Sequence, residues 1–410
     1  MNLAEALADL GTRFPGESGA RQPVHTVYGG AQLFKSDTTV KLGALGRRAL
    51  QEHGGEPIEF ARAIGVGEAL AETIHARVVE KLTREPVEDF RIDFEDGYGN
   101  RPDAEEDGHA AAAAREVAAG MKNGTLPPFI GIRIKQFSQE LMPRAVRTMD
   151  IFLTTLLDSA GALPPWFVVT LPKIQLTQQV TALADHFDAL EPKLGLAAGA
   201  LKMELMIETT QVIPILSLLP EAARGRAVAA HFGTYDYTAS CNITAAHQRM
   251  DHPACDFARH MMQVAYAGTG LWLSDGATNI MPIGDRATIH AAWRLHVDHV
   301  RHSLINAYYQ GWDLNPAQLP TRYAAVYSFF LEGLAAATER LRNFIEKAGQ
   351  ATLVGDVFDD AATGQGLLNY FLRALNCGAI TEEEALASGL TLDELRSRSF
   401  VKILKGRRGA

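Results

Sequence analysis

The sequence predicts a (β/α)8 TIM barrel followed by a C-terminal helical appendage, and three observations predict it. Short apolar runs recur between residues 23 and 315, helix-like stretches separate them, and beyond residue 320 the strand-like runs stop. Several runs are apolar on successive residues, as parallel strands covered on both faces are. Spacing supplies the architecture. The polar residues closing the runs are Glu95, Arg133, Lys173, Glu208, Asp236, Asp275 and Asn315, at intervals of 38, 40, 35, 28, 39 and 40 residues. One strand–helix–strand unit takes about 30 residues or more, so each interval holds one unit. Eight such strands close a barrel of the usual ~250 residues plus insertions. An open doubly wound sheet is the structural alternative, but no Gly-x-Gly-x-x-Gly comes after the first run.

The runs in order are PVHTVY (23–28), DFRIDFE (89–95), FIGIRI (129–134), WFVVTLP (166–172), LKMELMIE (201–208), AVAAHFG (227–233), GLWLSD (270–275) and GWDLN (311–315). Between them AEEDGHAAAAAREVAAGMK, ELMPRAVRTMDIFLTTLLDSAG and HPACDFARHMMQVAYAG read as helices, the first stopping at Gly124. After residue 320, TRYAAVYSFFLEGLAAATERLRNFIEKAG reads as one amphipathic helix ending near Gly349, and ATGQGLLNYFLRAL as another. Thr381-x-x-Glu384 and Thr391-x-x-Glu394 have the form of capping boxes. The chain of 410 residues exceeds the ~250–300 at which one core stops growing. Two domains are expected, a catalytic barrel over 1–319 and a helical domain over 320–410.

Composition narrows the function. A net charge of −9 argues against nucleic acid as a partner. No apolar run approaches the ~18–20 residues of a membrane span. The opening MNLAEALADLGTRF has neither a basic start nor a continuous apolar core, so no export signal is read and the cytoplasm is the expected compartment. Cys241, Cys255 and Cys377 cannot build a disulfide framework.

In such a barrel the chemistry sits where strands end. Asp93, Glu95 and Asp96 close the second strand, Arg133 the third, Glu208 the fifth and Asp236 the sixth. Glu208 and Asp236 lie on consecutive strands, so their carboxylates can converge, and two carboxylates with open positions suit Mg²⁺ or Mn²⁺. Arg133 offers a fixed cation to an oxyanion. Ordinary ion pairs lining a barrel mouth are the alternative.

IDFEDGYGNRP (92–102), IGIRIK (130–135), TLPKIQ (170–175), MIETTQVI (206–213) and HFGTYDYTAS (231–240) form one motif series. It resembles the malate synthase, citrate lyase β-subunit and HpcH/HpaI aldolase superfamily. GWDLNPAQ (311–318) fits the superfamily's pattern near the last strand, with Asn315 in place of the usual His. The resemblance implies a divalent-metal-dependent carbon–carbon lyase or synthase acting on an α-keto acid through an enolate. It implies Glu208 and Asp236 as metal ligands and Arg133 as the stabiliser of the carbonyl or enolate oxygen. Asp93 and Glu95 would hold water, arginine and metal in place. Backbone N–H groups around Gly233, Tyr235 and Asp236 would hold the keto-acid carboxylate. Asp359-Asp360-Ala361-Ala362-Thr363 resembles the malate synthase segment whose Asp abstracts a proton, which makes Asp360 the candidate base. A CoA thioester is then a candidate substrate, although the chain is shorter than a malate synthase. Superfamily members are often homo-oligomers. The alternatives are a CoA-independent class II pyruvate or oxaloacetate aldolase, with Asp360 structural, and a noncatalytic metabolite-binding barrel.

Other residues have two readings. His25 is a candidate substrate contact or a packed histidine. Lys173 binds a substrate anion or pairs with a barrel carboxylate. Cys241, His247, His252, Cys255 and His260 crowd one stretch but match no common zinc spacing. The four tryptophans read as core or interface.

Overall fold

The computed structural model describes residues 2–17, 19–346, 352–354, 357–359, 361–399, 402, 403, 406 and 407. A helix α1 (Leu3–Arg13) precedes β1 (His25–Gly30). Three helices separate β1 from β2 (Asp89–Asp93), namely α2 (Thr38–Ala49), α3 (Pro57–Ile64) and α4 (Ala71–Arg84). Strand and helix then alternate through α5 (Asp103–Asn123), β3 (Phe129–Arg133), α6 (Met142–Ala160), β4 (Phe167–Leu171), α7 (Thr177–Leu190) and β5 (Lys202–Ile207). After β5 come α8 (Leu219–Ala222), β6 (Ala227–Phe232), α9 (Thr234–Ser240), α10 (Pro253–Tyr266), β7 (Trp272–Ala277), α11 (Arg286–Ile305) and β8 (Gln310–Asp313). The strands are parallel, pair in sequence order and close by pairing β1 with β8, Val27 opposite Asp313. The (β/α)8 barrel expected from the spacing is the fold observed.

Alternation along each strand sends one side chain into the lumen and the next against the helices. The lumen is filled in layers. At the N-terminal end Phe129, Trp166 and Trp272 pack with ring centroids 5.6–5.9 Å apart. Above them the filling is ionic instead of the branched apolar residues usual in this fold. Arg91 donates to Glu204 through Nε (2.8 Å to Oε2) and Nη2, and to Asp89. Thr170 donates to Glu204 at 2.8 Å and Thr26 to Asp89 at 2.8 Å. Burying these charges costs desolvation energy that only complete pairing offsets. The top layer holds Tyr28, Trp312 and Arg133: the two aromatic rings lie 4.5 Å apart, and the Arg133 guanidinium sits 4.8 Å over Tyr28.

The C-terminal region begins with α12 (Leu319–Glu346). Its first half is buried beside α11 and α4, so it doubles as the eighth helix of the barrel. Next in the chain are a hairpin of β9 (Thr352–Val354) and β10 (Val357–Asp359), then α13 (Ala361–Asn376), α14 (Glu382–Leu386) and α15 (Leu392–Arg396). The Tyr370 hydroxyl donates to the Phe330 carbonyl, tying α13 to α12. Thr381/Glu384 and Thr391/Glu394 form reciprocal capping boxes, as their spacing predicts. Among the described residues no helix is long and apolar enough to cross a membrane.

Candidate active site at the C-terminal mouth of the barrel

Asp93 ends β2 and anchors both an arginine and a loop. Both its oxygens accept from Arg133, from Nε at 2.7 Å and Nη2 at 2.5 Å. They also accept the backbone N–H groups of Glu95 (3.0 Å) and Gly97 (2.7 Å). One carboxylate thus fixes the arginine and folds the loop after β2. Two-point pairing sets the plane of the guanidinium, and Nη1 is left to reach Glu95 at 3.2 Å. Burial opposes the Arg133 charge, but Asp93 and Glu95 hold its pKa above the ordinary value.

Lys173 lies just past β4 with φ at +50°, a left-handed backbone uncommon for a side-chain-bearing residue. That conformation aims its N–H at Glu208 Oε1, 2.6 Å away. Its ammonium pairs with Glu95, lies 3.0 Å from Asp96 and comes within 3.8 Å of Asp236. Of its two readings, the structure displays carboxylate pairing.

Glu208 lies just past β5 and is 1 % exposed. Gly233, at the end of β6, lies against it. A Cβ at Gly233 would stand 2.6 Å from both Cβ and Oε2 of Glu208, so only glycine lets the two strand ends approach this closely. Among the described residues no Lys or Arg side-chain nitrogen comes within ion-pair distance of Glu208, whose hydrogen-bond donor is the Lys173 backbone N–H. Burial, reinforced by the Asp236 charge, pushes its carboxyl up to about 8, with Lys173 and Arg133 opposing. Asp236 sits in the first turn of α9 with its side chain 42 % exposed. Burial likewise raises Glu95, against the pull of Arg133 and Lys173.

The mouth therefore gathers Asp93, Glu95, Asp96, Glu208 and Asp236 against Arg133 and Lys173. A formal charge of −3 remains when all are ionised. Such a set fits a divalent cation that takes a few carboxylates and completes its shell with water or substrate oxygens. Among the described residues no group of three or more His, Cys, Asp and Glu side chains is arranged as a full metal cage.

Several sequence-predicted residues are placed differently. His25 does not face the mouth. It is fully buried on the outer side of β1, bonded through Nδ1 to Asp313 at 2.7 Å and through Nε2 to the Glu88 N–H at 3.0 Å. The alternation that puts Thr26 and Tyr28 inside puts His25 outside. The Gly233 N–H is no free donor, since it is bonded to the Ile207 carbonyl at 3.0 Å. Tyr235 turns its hydroxyl to the Ala277 carbonyl at 2.7 Å, leaving its backbone as what it offers the mouth. Asp360 lies outside the described residues. Asp275 is structural, paired with Arg259 at 2.9 Å and with Ser303 at 2.5 Å.

Sequence reasoning missed Tyr28. Its ring covers Arg133, and among the described residues its hydroxyl reaches only the Met206 sulfur, at 3.9 Å. The available signal was parity: Tyr28 is two residues from Thr26 in a strand whose inward set ends at the mouth.

The fold is shared with solved citrate lyase and malate synthase structures. A citrate lyase structure from Burkholderia xenovorans superposes with a TM-score of 0.61 at 19% identity, covering 90% of this chain and 97% of that one. CitE from Mycobacterium tuberculosis, solved with magnesium, acetoacetate and coenzyme A, gives 0.51 at 14% identity over 88% of this chain and 99% of that one. A Haloferax volcanii malate synthase gives 0.52 at 13% identity over 81% and 92%. No curated protein matches the chain. The chain belongs to the DUF6986 family, a domain of unknown function, whose model matches residues 3–403.

Proposed function

We propose that the protein is a divalent-metal-dependent carbon–carbon lyase or synthase that works on an α-keto acid through an enolate. One observation carries the reading: at the C-terminal mouth an excess of carboxylates surrounds Glu208 and Asp236, beside an arginine locked in plane by Asp93. Glu208 and Asp236 would hold Mg²⁺ or Mn²⁺, which supplies Lewis-acid polarisation of a keto-acid carbonyl. Arg133 donates to the oxygen on which charge develops, and needs no reorganisation because Asp93 and Glu95 already hold it. Lys173 keeps Glu95 and Asp96 apart from the substrate anion. The first-turn amides of Tyr235 and Asp236 find no acceptor within α9 and are assigned to the substrate carboxylate. Asp360 is assigned as the base that takes the proton from the carbon nucleophile.

An acyl-CoA as the enolisable partner is supported by a cleft beside the mouth. It has a volume of about 200 Å³ and is lined by Tyr28, Leu33, Leu42, Leu314 and Pro316. An apolar thioester arm suits that lining, and the Mycobacterium tuberculosis protein of the same fold was solved with coenzyme A. The test offers acetyl-CoA with glyoxylate, and separately pyruvate with an aldehyde, each with Mg²⁺ or Mn²⁺. Metal-dependent turnover of the first pair, lost in Glu208→Gln, supports the CoA reading. Turnover of the second pair alone moves the assignment to a CoA-independent aldolase. Binding of keto acids with no turnover by either pair overturns the enzymatic reading.

A further inference from the structure

The opposite, N-terminal face of the barrel carries a cavity of about 240 Å³ between the segment before β1, the start of β7 and α13. We propose that this cavity binds a small organic anion through a carboxylate or phosphate head. The inference does not rest on the reading of the mouth.

The cations come first. Arg398 lines the cavity, and among the described residues no carboxylate lies within ion-pair distance of it. Room has been made for it. Gly19 has φ at +69°, and a Cβ there would fall 2.5 Å from Arg398 Nε. Arg398 itself adopts φ of +54°, a backbone that side-chain-bearing residues rarely take and that clusters at binding sites. Arg373 is the second cation. It stacks 4.5 Å from the Tyr309 ring centroid and donates to Gln22 Oε1 at 2.6 Å and Glu17 Oε2 at 2.9 Å. One carboxylate thus faces two guanidinium groups, and the cavity is left positive.

Tyr266 also lines the cavity, with its hydroxyl enclosed in protein. The remaining wall includes Trp272 and Leu271, which offer apolar surface to a short carbon skeleton. Drug-sized ligands take roughly 300–1,000 Å³, so a metabolite of a few carbons is the size expected here. Planar guanidinium groups select carboxylate or phosphate oxygens over halide.

The experiment is calorimetry and thermal shift on the full chain in chloride buffer. The probes are succinate, malate and citrate in one arm, and glycerol phosphate and phosphoglycerate in the other. At least one probe should bind the wild type and bind Glu208→Gln equally well. Arg398→Gln should weaken that probe by about tenfold or more. Arg398 has no ion pair among the described residues to lose, so this variant should melt like the wild type without ligand. Arg398→Lys, which keeps charge but not the planar fork, should give a partial loss. Binding in one arm only fixes the head group. No binding by any probe, binding undiminished in Arg398→Gln, or binding lost in Glu208→Gln would overturn the proposal.

Discussion

Glu208 is a carboxylate buried without an ion-pair cation among the described residues, and its protonation governs what the mouth can do. Its carboxyl is raised to about 8, by burial first and the Asp236 charge second, against an unfolded value of ~4.3. Between those values the folded metal-free protein binds the extra proton. Its stabilising effect is present below the ordinary carboxylate pKa and is lost as pH rises through about 8. Thermal melts of metal-free protein should fall in midpoint across that window, and Glu208→Gln should flatten the slope to what Glu95 contributes. A divalent cation competes with the same proton, so Mg²⁺ affinity should rise with pH up to about 8 and binding should release a proton. Calorimetry in two buffers of different ionisation enthalpy reads that release directly. Equal observed heats in the two buffers below pH 8 would mean that no proton leaves and that Glu208 does not hold the metal. Arg133→Lys keeps a charge but cannot make the paired contact with Asp93. It should lower kcat by about 10²-fold or more while leaving Mg²⁺ affinity within a few-fold.

At the scale of elements, the ends of β5 and β6 carry the proposed site, and Gly233 lets them close on each other. Gly233 has φ of −103°, so its backbone suits any residue and the constraint is steric. Gly233→Ala should cost about 1–3 kcal/mol of stability and weaken metal binding by displacing Glu208. Melts and a Mg²⁺ titration check both, and a variant with unchanged Mg²⁺ affinity would separate Gly233 from the site. The same strands show how much could be read in advance. Apolar runs closed by polar residues mark where parallel strands leave the barrel, so the placement of Asp93, Arg133 and Glu208 at the mouth was legible from spacing, whereas Asp236, read as closing the sixth strand, sits in the first turn of α9. Inward or outward facing was not, because a strand buried on both faces loses its polar alternation. His25 and Tyr28 belong to one strand, and parity alone separates the packed histidine from the aromatic over Arg133. The ionic layer of Arg91, Asp89 and Glu204 was hidden for another reason: Arg91 and Glu204 are 113 positions apart, and only closure brings them together. Arg91→Met should cost about 3–5 kcal/mol, since it strands two buried carboxylates. The triple replacement by apolar residues should recover most of that loss in a denaturant titration.

At the scale of the molecule, the path of the chain bears on where a catalytic base can come from. The α12 helix starts beside the mouth at Leu319 and runs for 28 residues, ~42 Å at 1.5 Å per residue. The segment leading to Asp360 therefore leaves from the end of α12 remote from Glu208. The α13 helix returns only as far as the N-terminal face, where Tyr370 meets Phe330 and Arg373 meets Gln22. The prediction is a homo-oligomer in which Asp360 serves the mouth of a neighbouring subunit. Complementation tests it. Glu208→Gln and Asp360→Asn should each be inactive alone. Unfolded together, refolded as a mixture and assayed, they should regain up to about one quarter of wild-type turnover, because random pairing in a symmetric assembly joins an intact barrel to an intact tail that often. Glu208→Gln mixed with Asp236→Asn, both lesions in one barrel, should regain none. If the first mixture stays inactive while mass measurement shows that mixed oligomers have formed, Asp360 serves its own barrel or none.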